Sequence, residues 1–574
     1  MLKLQVAKLK VFQGRVALLS MILAVAALLR FAALDKHALW FDEALTIVQS
    51  QWSVAEMIRY PTDPTPFLYY LIHKILFSMD HSAGAMRCLA VGAGVISVGL
   101  MYVLGRLCFG ARSGLLAAAL MAVSTSHVTF SQEARQYSLM LGLTLLTSIG
   151  VMVYANAVAA AEKGEPAEAG RRRLGLFLFA AGNVLSWYSH ATSAIWIALT
   201  SLLVLWLAGE KLRRGRIRNE ILVAYAAMAL LALPGLWWVY VGHRYGFEHV
   251  EWLEQPSLVQ FVSRIGQIYF PAGFWEHLWI NSPSERLASK SIVLVVGFLC
   301  VIGGVLARRR SIRASFNGHR AACILIGLYF LIPFFLWAIG LISLPVLHAR
   351  TLLYSLPGFI LLLCLLVKDS RWAGWESAIL VATFFGSTLL EIQGREKDDY
   401  RGAVRYLASH VRPGDVIQVC PPYDYAGLRH ATRTVIPAPV VTVATNGRIL
   451  QLESALGADP NWAETFRRLV QIPEVEGRMG RPLDGPRLET PDQSAASLKV
   501  PAGAAVWRFN GRCEDYWSED DVRTLADKAL TGFRINPAFE WKQISRVDGE
   551  RRLGISRYES IDGIPLQFRP VSGN

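Results

Sequence analysis

The sequence predicts a polytopic α-helical membrane protein with about eleven spanning helices and a C-terminal soluble α/β domain. Of its 574 residues, 53% are hydrophobic and only 18% are charged, and the mean hydropathy is +0.34, a composition typical of membrane proteins. Apolar runs of roughly 20 residues, the length that a spanning helix needs, recur from residue 16 to residue 390 and then stop. Every second loop between these runs is rich in Lys and Arg, which is the positive-inside pattern.

Two domains follow from these runs, a membrane domain over residues 1–391 and an extracytoplasmic α/β domain over residues 392–574. The first apolar run is interpreted as an uncleaved helix, and the N-terminus is placed inside. An odd number of spans then puts the C-terminal domain outside. The predicted spans are residues 16–34, 84–105, 114–130, 137–158, 173–189, 191–208, 220–241, 290–307, 320–342, 350–367 and 373–390.

The formal net charge of +14 does not indicate a nucleic-acid-binding protein. Such a protein gathers Lys and Arg on a water-facing surface with aromatic residues between them. Here the basic residues lie in short loops between apolar runs, so the charge is explained by membrane lipids and topology.

The first outer loop, residues 35–83, contains two short apolar segments at 53–58 and 67–77. Neither is long enough to span, so we expect amphipathic helices along the membrane interface. A proline-rich turn containing Asp63 separates them.

The C-terminal domain alternates helix-like and strand-like segments. A helix is expected at residues 400–407, strands at 416–419 and 504–509, and a helix at 519–530. Cys420 and Cys513 lie here, and the sequence leaves open whether they form a disulfide. The other five cysteines lie in or beside apolar runs without metal-ligand spacing and are interpreted as core residues.

Asp42 and Glu43 follow the first span and are the leading candidates for chemistry. Adjacent residues on a helix diverge by about 100 degrees, so the two carboxylates should have different roles rather than share a proton. The alternative is an acidic first turn of a surface helix. Asp63 has two readings as well, a residue of the site or a cap of the helix that follows it.

Candidate cations lie at other outer helix ends. Arg135, in the polar hairpin 130–137, is suited to pair with Glu43 or with a phosphate. Arg350 is either an interfacial residue with its charge in water or a phosphate clamp. His190 is a lone histidine, more often structural than catalytic. The sequence contains no metal-binding spacing, no phosphate-cradling glycine loop and no nucleophile elbow, which argues against a soluble nucleotide as substrate.

Taken together, these motifs resemble those of enzymes that have the GT-C fold and are similar to glycosyltransferase family 39. Within that family, the resemblance is to the protein O-mannosyltransferase and aminoarabinose (lipid A) transferase group. The resemblance is strongest over residues 35–140. One departure is that the family's Asp-x-His-Pro-Pro-Leu-Tyr turn lacks its histidine and one proline here. The matching stretches are Trp40-Phe41-Asp42-Glu43, Asp63-Pro64-Thr65-Pro66-Phe67-Leu68-Tyr69-Tyr70, Arg87 and Ser131-Gln132-Glu133-Ala134-Arg135-Gln136-Tyr137.

The resemblance implies an enzyme of the bacterial inner membrane that moves a hexosyl or pentosyl group from a polyprenyl-phosphate donor. The acceptor is a lipid, glycan or protein on the outer face, and the transfer inverts the anomeric centre. Asp42 is then the catalytic base, while Glu43, paired with Arg135, and Asp63 structure the loop or hold the acceptor. Tyr137, His190 and Arg350 line the donor phosphate site. If the acceptor is itself a phosphate, Asp42 only orients it.

Two other functions stay open at this point. A lipid-linked sugar flippase or transporter also has many spans, although transporters tend to carry midplane charges and internal repeats, and no repeat stands out here. A non-catalytic, membrane-anchored binding protein is the third reading. The sequence leaves open the sugar, the acceptor, the oligomeric state and any need for a divalent cation.

Overall fold

The computed structural model describes most of the chain up to residue 431 and isolated strands beyond it. Asp63, Cys513 and the helix expected at 519–530 lie outside these residues, so their predicted roles stay predictions. The described residues are 2–59, 65–77, 82–162, 168–209, 212, 215–245, 255–270, 297–310, 312, 318–342, 345–394, 400–420, 424–431, 440–443, 449–453, 499–500, 505–510, 533–535, 542–547, 551–560 and 566–567.

The first two thirds of the chain is helical. The N-terminal half of this part contains α1 (Leu2–Phe31), α2 (Phe41–Gln51), α3 (Val54–Arg59), α4 (Leu68–Phe77), α5 (Ala83–Phe109), α6 (Ala111–Ala122), α7 (Thr125–Ser131), α8 (Tyr137–Glu162) and α9 (Glu168–Ser189). It continues with α10 (Ser193–Ala208), α11 (Gly215–Tyr245), α12 (Leu258–Tyr269), α13 (Gly297–Ala307), α14 (Arg320–Ile342), α15 (Ala349–Leu352), a 3₁₀ turn (Leu353–Ser355), α16 (Leu356–Val367) and α17 (Ala373–Gly394).

Each of the eleven predicted spans overlaps a described helix, which confirms the helical membrane architecture. Among the described residues, seven segments are long and apolar enough to cross a membrane, and α6 with α7, joined at a 59° bend, would make an eighth. The other three predicted spans fall on α9, which has three arginines in its first two turns, and on the shorter α10 and α13. The segments expected at 53–58 and 67–77 are α3 and α4.

A buried arginine holds the bend between α6 and α7. The guanidinium of Arg30, at the end of α1, donates to the carbonyls of Met121 (3.2 Å) and Ala122 (3.1 Å), the last residues of α6. Because the final carbonyls of a helix lack intrahelical partners, Arg30 caps α6 where the helix breaks. The side chain of Gln132 in turn donates to the carbonyl of Ala32 (2.8 Å). The 130–137 hairpin is thereby tied to the end of α1.

The C-terminal part is a mixed α/β arrangement, as the alternating pattern predicted. Its described elements are α18 (Tyr400–His410), β1 (Val416–Cys420), α19 (Asp424–Ala431), β2 (Val440–Val443), β3 (Ile449–Glu453), β4 (Lys499–Val500), β5 (Ala505–Asn510), β6 (Phe533–Ile535), β7 (Lys542–Val547), β8 (Arg551–Ser560) and β9 (Leu566–Gln567). Seven of these strands form one sheet with the order β3-β2-β1-β5-β8-β6, in which β7 is also paired to β8 and β1 runs parallel to both β2 and β5. The division at residue 392 stays a prediction.

The C-terminal part packs on the first outer loop. One buried apolar cluster contains Leu39 and Ile47 from the loop together with Leu407 from α18 and Leu428 from α19. Helix α19 packs directly against α2. The helix that begins with the Asp42-Glu43 pair is therefore supported by the C-terminal part.

Candidate active site

The two adjacent carboxylates lie in the first turn of α2, immediately after Trp40. Glu43 accepts a hydrogen bond at Oε2 from the backbone N–H of Trp40 (3.3 Å), so it satisfies one of the free donors at the helix start. Carboxylates are also stabilised there by the helix dipole. The local sequence therefore places both acids at a fixed helix end.

Glu43 forms a sealed ion pair with Arg87. Its two carboxylate oxygens accept from Nε and Nη2 of Arg87, each at 2.7 Å, and the two side chains are only 0% and 2% exposed. The Arg87 guanidinium also donates to the carbonyls of Leu34 (2.6 Å), His37 (3.1 Å) and Ala38 (3.0 Å). A buried pair of this kind is stabilising when the remaining donors and acceptors are also satisfied, as they are here.

This pairing corrects the expectation that Arg135 would be the partner of Glu43. Glu43 reaches the hairpin through the backbone, since its Oε1 accepts from the N–H of Ala134 (2.9 Å). Arg135 instead donates to the hydroxyl of Tyr70 (2.9 Å) and the backbone carbonyl of Asp42 (3.4 Å). The reason is geometric, because Arg87 enters α5 beside the start of α2 and offers two parallel N–H groups to the carboxylate.

Asp42 forms a different ion pair, with Arg350 at the start of α15. Oδ2 of Asp42 accepts from Nη1 of Arg350 at 2.7 Å, and the two side chains are 17% and 19% exposed. The same nitrogen donates to the hydroxyl of Tyr137 at 3.3 Å. Three predicted site residues, from α2, α8 and α15, thus meet at one point.

Two aromatic rings flank the guanidinium of Arg350. Its Cζ lies 5.4 Å from the centre of the Trp40 ring and 5.8 Å from that of Tyr137. Cation–π attraction at these distances holds the charged group between the rings. His190 lies one step further away, with its ring centre 6.4 Å from that of Tyr137.

The loop before α15 is held in place by a helix that the sequence did not predict. Arg264, on α12, donates to the carbonyl of Leu347. The side chain of His348 accepts from the N–H of Arg350 (3.4 Å) at the first turn of α15. The sequence predicted an outer loop over residues 242–289, and the signal for α12 within it is the capping box Ser257–Gln260 at the start of the helix.

Tyr69, next to Tyr70 on α4, is fully buried near Glu43 and Arg135. Burial raises the pKa of its hydroxyl far above the ordinary value. Tyr69 therefore stays protonated in the physiological range.

Among the residues that the structure describes, no three or more His, Cys, Asp or Glu side chains lie together as a group that could hold a metal ion. Asp42 and Glu43 are engaged with Arg350 and Arg87.

No family model matches the sequence, and no curated protein matches it. Several solved structures do match this chain. ArnT from Cupriavidus metallidurans in the apo state aligns with a TM-score of 0.53 and 13% identity, covering 95% of this chain and 98% of that chain. ArnT bound to undecaprenyl phosphate aligns with a TM-score of 0.50 and 14% identity, covering 94% and 97%. ArnT is an aminoarabinose transferase of the GT-C class. Along most of its length, this chain therefore has the GT-C fold that ArnT has.

Proposed function

We propose that this protein is a membrane glycosyltransferase that uses a polyprenyl-phosphate sugar as donor. The observation that carries the proposal is the Asp42–Arg350 pair, a carboxylate and a guanidinium 2.7 Å apart and partly open to ligands in a GT-C fold. A carboxylate suits proton removal and a guanidinium suits phosphate binding. We place the reaction on the outer face of a bacterial inner membrane, with the N-terminus inside and the C-terminal part outside.

In the proposed reaction Asp42 is the general base. A hydroxyl of a lipid, glycan or protein acceptor gives its proton to the Asp42 carboxylate as its oxygen attacks the anomeric carbon. The bond between that carbon and the phosphate oxygen breaks, and its electron pair leaves with polyprenyl phosphate. Attack opposite the leaving group inverts the anomeric centre. A positioned base of this kind contributes typically about 10²- to 10⁴-fold in rate.

The leaving phosphate gains negative charge during this step, and Arg350 is the group we assign to stabilise it. A guanidinium offers several N–H donors in a planar fork that matches phosphate oxygens. Tyr137 and His190 complete this side of the site. We assign Arg135 to the acceptor side, because it lies against Tyr70 and the backbone of Asp42.

The test is sugar transfer in a membrane preparation supplied with radiolabelled polyprenyl-phosphate sugars, followed by identification of the labelled acceptor. We expect transfer with the wild-type protein and a loss of about 100-fold or more in Asp42→Asn, the range for a general base. The matched control is Asp369→Asn, which removes a 53% exposed carboxylate at the opposite end of the spans and should leave transfer unchanged.

Near-normal transfer to a hydroxyl acceptor by Asp42→Asn would show that Asp42 is not the base. Transfer to a phosphate acceptor would assign Asp42 the lesser role of orienting that group. If no lipid-linked donor supports transfer by intact protein, the transporter interpretation replaces the enzyme.

A further inference from the structure

The two ion pairs at the start of α2 differ in how easily they can be opened. The Glu43–Arg87 pair is 0% and 2% exposed, and each carboxylate oxygen faces its own N–H of the guanidinium. The Asp42–Arg350 pair is 17% and 19% exposed and joins one oxygen to one nitrogen. Ion pairs that water reaches are weak, whereas breaking a sealed pair is strongly unfavourable. Only the Asp42–Arg350 pair is therefore suited to open and exchange the carboxylate for another anion.

Arg350 also keeps part of its hydrogen-bonding capacity free. Both of its hydrogen bonds, to Asp42 and Tyr137, come from Nη1, and among the residues with described positions none accepts from its Nε or Nη2. A guanidinium binds an anion best through two parallel N–H groups. A phosphate that engages Arg350 in this way would gain contacts that Asp42 does not make.

The position of the guanidinium does not depend on Asp42. Trp40 and Tyr137 hold it by their ring faces at 5.4 and 5.8 Å, and the His348 cap fixes the backbone of Arg350. When the Asp42 carboxylate leaves Arg350, the guanidinium stays in place and can bind another anion.

We propose that Asp42 and the donor phosphate compete for Arg350. This inference rests on the proposed function. In the donor-free site Asp42 neutralises the guanidinium, and the arriving phosphate displaces it. The displacement frees the carboxylate to accept the acceptor's proton, so the base is released only when a donor is bound.

The same competition assists product release. The donor phosphate is a diester with one negative charge, whereas the departing polyprenyl phosphate is a monoester that carries about −1.5 to −2 at neutral pH. The product therefore binds a guanidinium more strongly than the donor does. Once Asp42 has passed the accepted proton to water, its carboxylate returns to Arg350, which offsets this gain and restores the donor-free state of the site.

The experiment measures binding of a short-chain polyprenyl monophosphate to detergent-solubilised full-length protein by isothermal titration calorimetry. Competition predicts that Asp42→Asn binds this probe more tightly than wild type, by about two- to fivefold, the range for losing a partly exposed ionic competitor. The same variant should be much slower in sugar transfer. Tighter binding with slower turnover is not expected from structural damage.

Asp35→Asn is the matched control, because Asp35 is a 59% exposed carboxylate of the same loop that pairs with Arg401 rather than with Arg350. It should leave the dissociation constant unchanged. Asp42→Ala should reproduce the tighter binding and replaces Asp42→Asn if that variant fails to fold. Arg350→Ala should bind the probe weakly whatever residue occupies position 42.

The outcomes separate this inference from the proposed function. If wild type binds the probe and both Asp42 variants bind it equally or more weakly, competition is wrong and the phosphate site stands. If wild type does not bind the probe at all, both the competition for Arg350 and the proposed phosphate site are wrong.

Discussion

Asp42 and Glu43 are neighbours in the chain, yet their carboxylates pair with arginines on different helices, α15 and α5. The divergence of adjacent side chains on a helix explains this, since one faces the open site and the other faces the interior. The sequence predicted divided roles for the two acids. In the structure, Asp42 belongs to a partly exposed pair that can exchange its anion, and Glu43 belongs to a sealed pair.

Removing the charge of Glu43 should destabilise the protein. In Glu43→Gln the buried guanidinium of Arg87 loses its counter-charge, and we expect a loss of about 3–5 kcal/mol of unfolding free energy. Thermal unfolding of the detergent-solubilised protein measures this. Asp42→Asn, at the exposed pair, should change stability by no more than about 1 kcal/mol. Equal stability losses in the two variants would contradict the distinction.

Among individual residues, the sequence predicted which side chains lie together better than it predicted their partners. Asp42, His190 and Arg350 were candidates as polar groups at outer helix ends and Tyr137 through the family resemblance, and the four side chains do lie together. The partner of Glu43 was wrong because a choice between two arginines depends on side-chain direction, which sequence spacing does not encode. Trp40 was part of a matching motif without a role of its own, and its ring covers the Arg350 guanidinium.

The elements that carry the site are connected by contacts that periodicity does not predict. The run at 114–130 was predicted as one span, and it is broken at residues 123–124 into α6 and α7. The break is stabilised by Arg30, an arginine within an apolar run whose partners include the backbone carbonyls at the end of α6. Apolar length predicts that a helix exists, and tertiary contacts decide where it bends.

A substitution of Gly94 on α5 tests the contacts that Arg30 makes at the break between α6 and α7. A Cβ added at Gly94 would lie 2.3 Å from Oγ of Ser131 and 2.9 Å from Nε of Arg30, so Gly94→Ala must displace one of them. We expect a loss of about 1–3 kcal/mol of stability, the range for overpacking. The control is Gly99→Ala in the same helix, where no atom lies within 4 Å of the added Cβ. It should be neutral or stabilising by up to about 1 kcal/mol, and a comparable loss there would contradict the argument.

Across the whole molecule, the C-terminal part and the membrane part share a buried apolar cluster. The sequence predicted the α/β character of the C-terminal part from its alternating pattern. It did not predict this contact, because the apolar residues of α18 and α19 are equally consistent with a core of their own. Their packing on the first outer loop makes the C-terminal part a support of the site.

A substitution in the C-terminal part should therefore reduce sugar transfer. Leu428→Ala removes a fully buried side chain from α19, which packs on α2, and we expect a loss of about 2–5 kcal/mol of stability together with lower transfer activity. Transfer assays and thermal unfolding of the full-length variant measure both. Arg412→Ala, at an exposed position of the same part, is the control. Unchanged transfer by a destabilised Leu428→Ala would indicate an independent binding module.

The neighbouring sealed and open pairs also bear on protein engineering. Because the Glu43–Arg87 pair anchors the start of α2, the fold does not depend on the side chain at position 42 for this anchoring. A different reactive group, a spectroscopic label or a crosslinker can be installed at position 42 while the scaffold beside it is left intact.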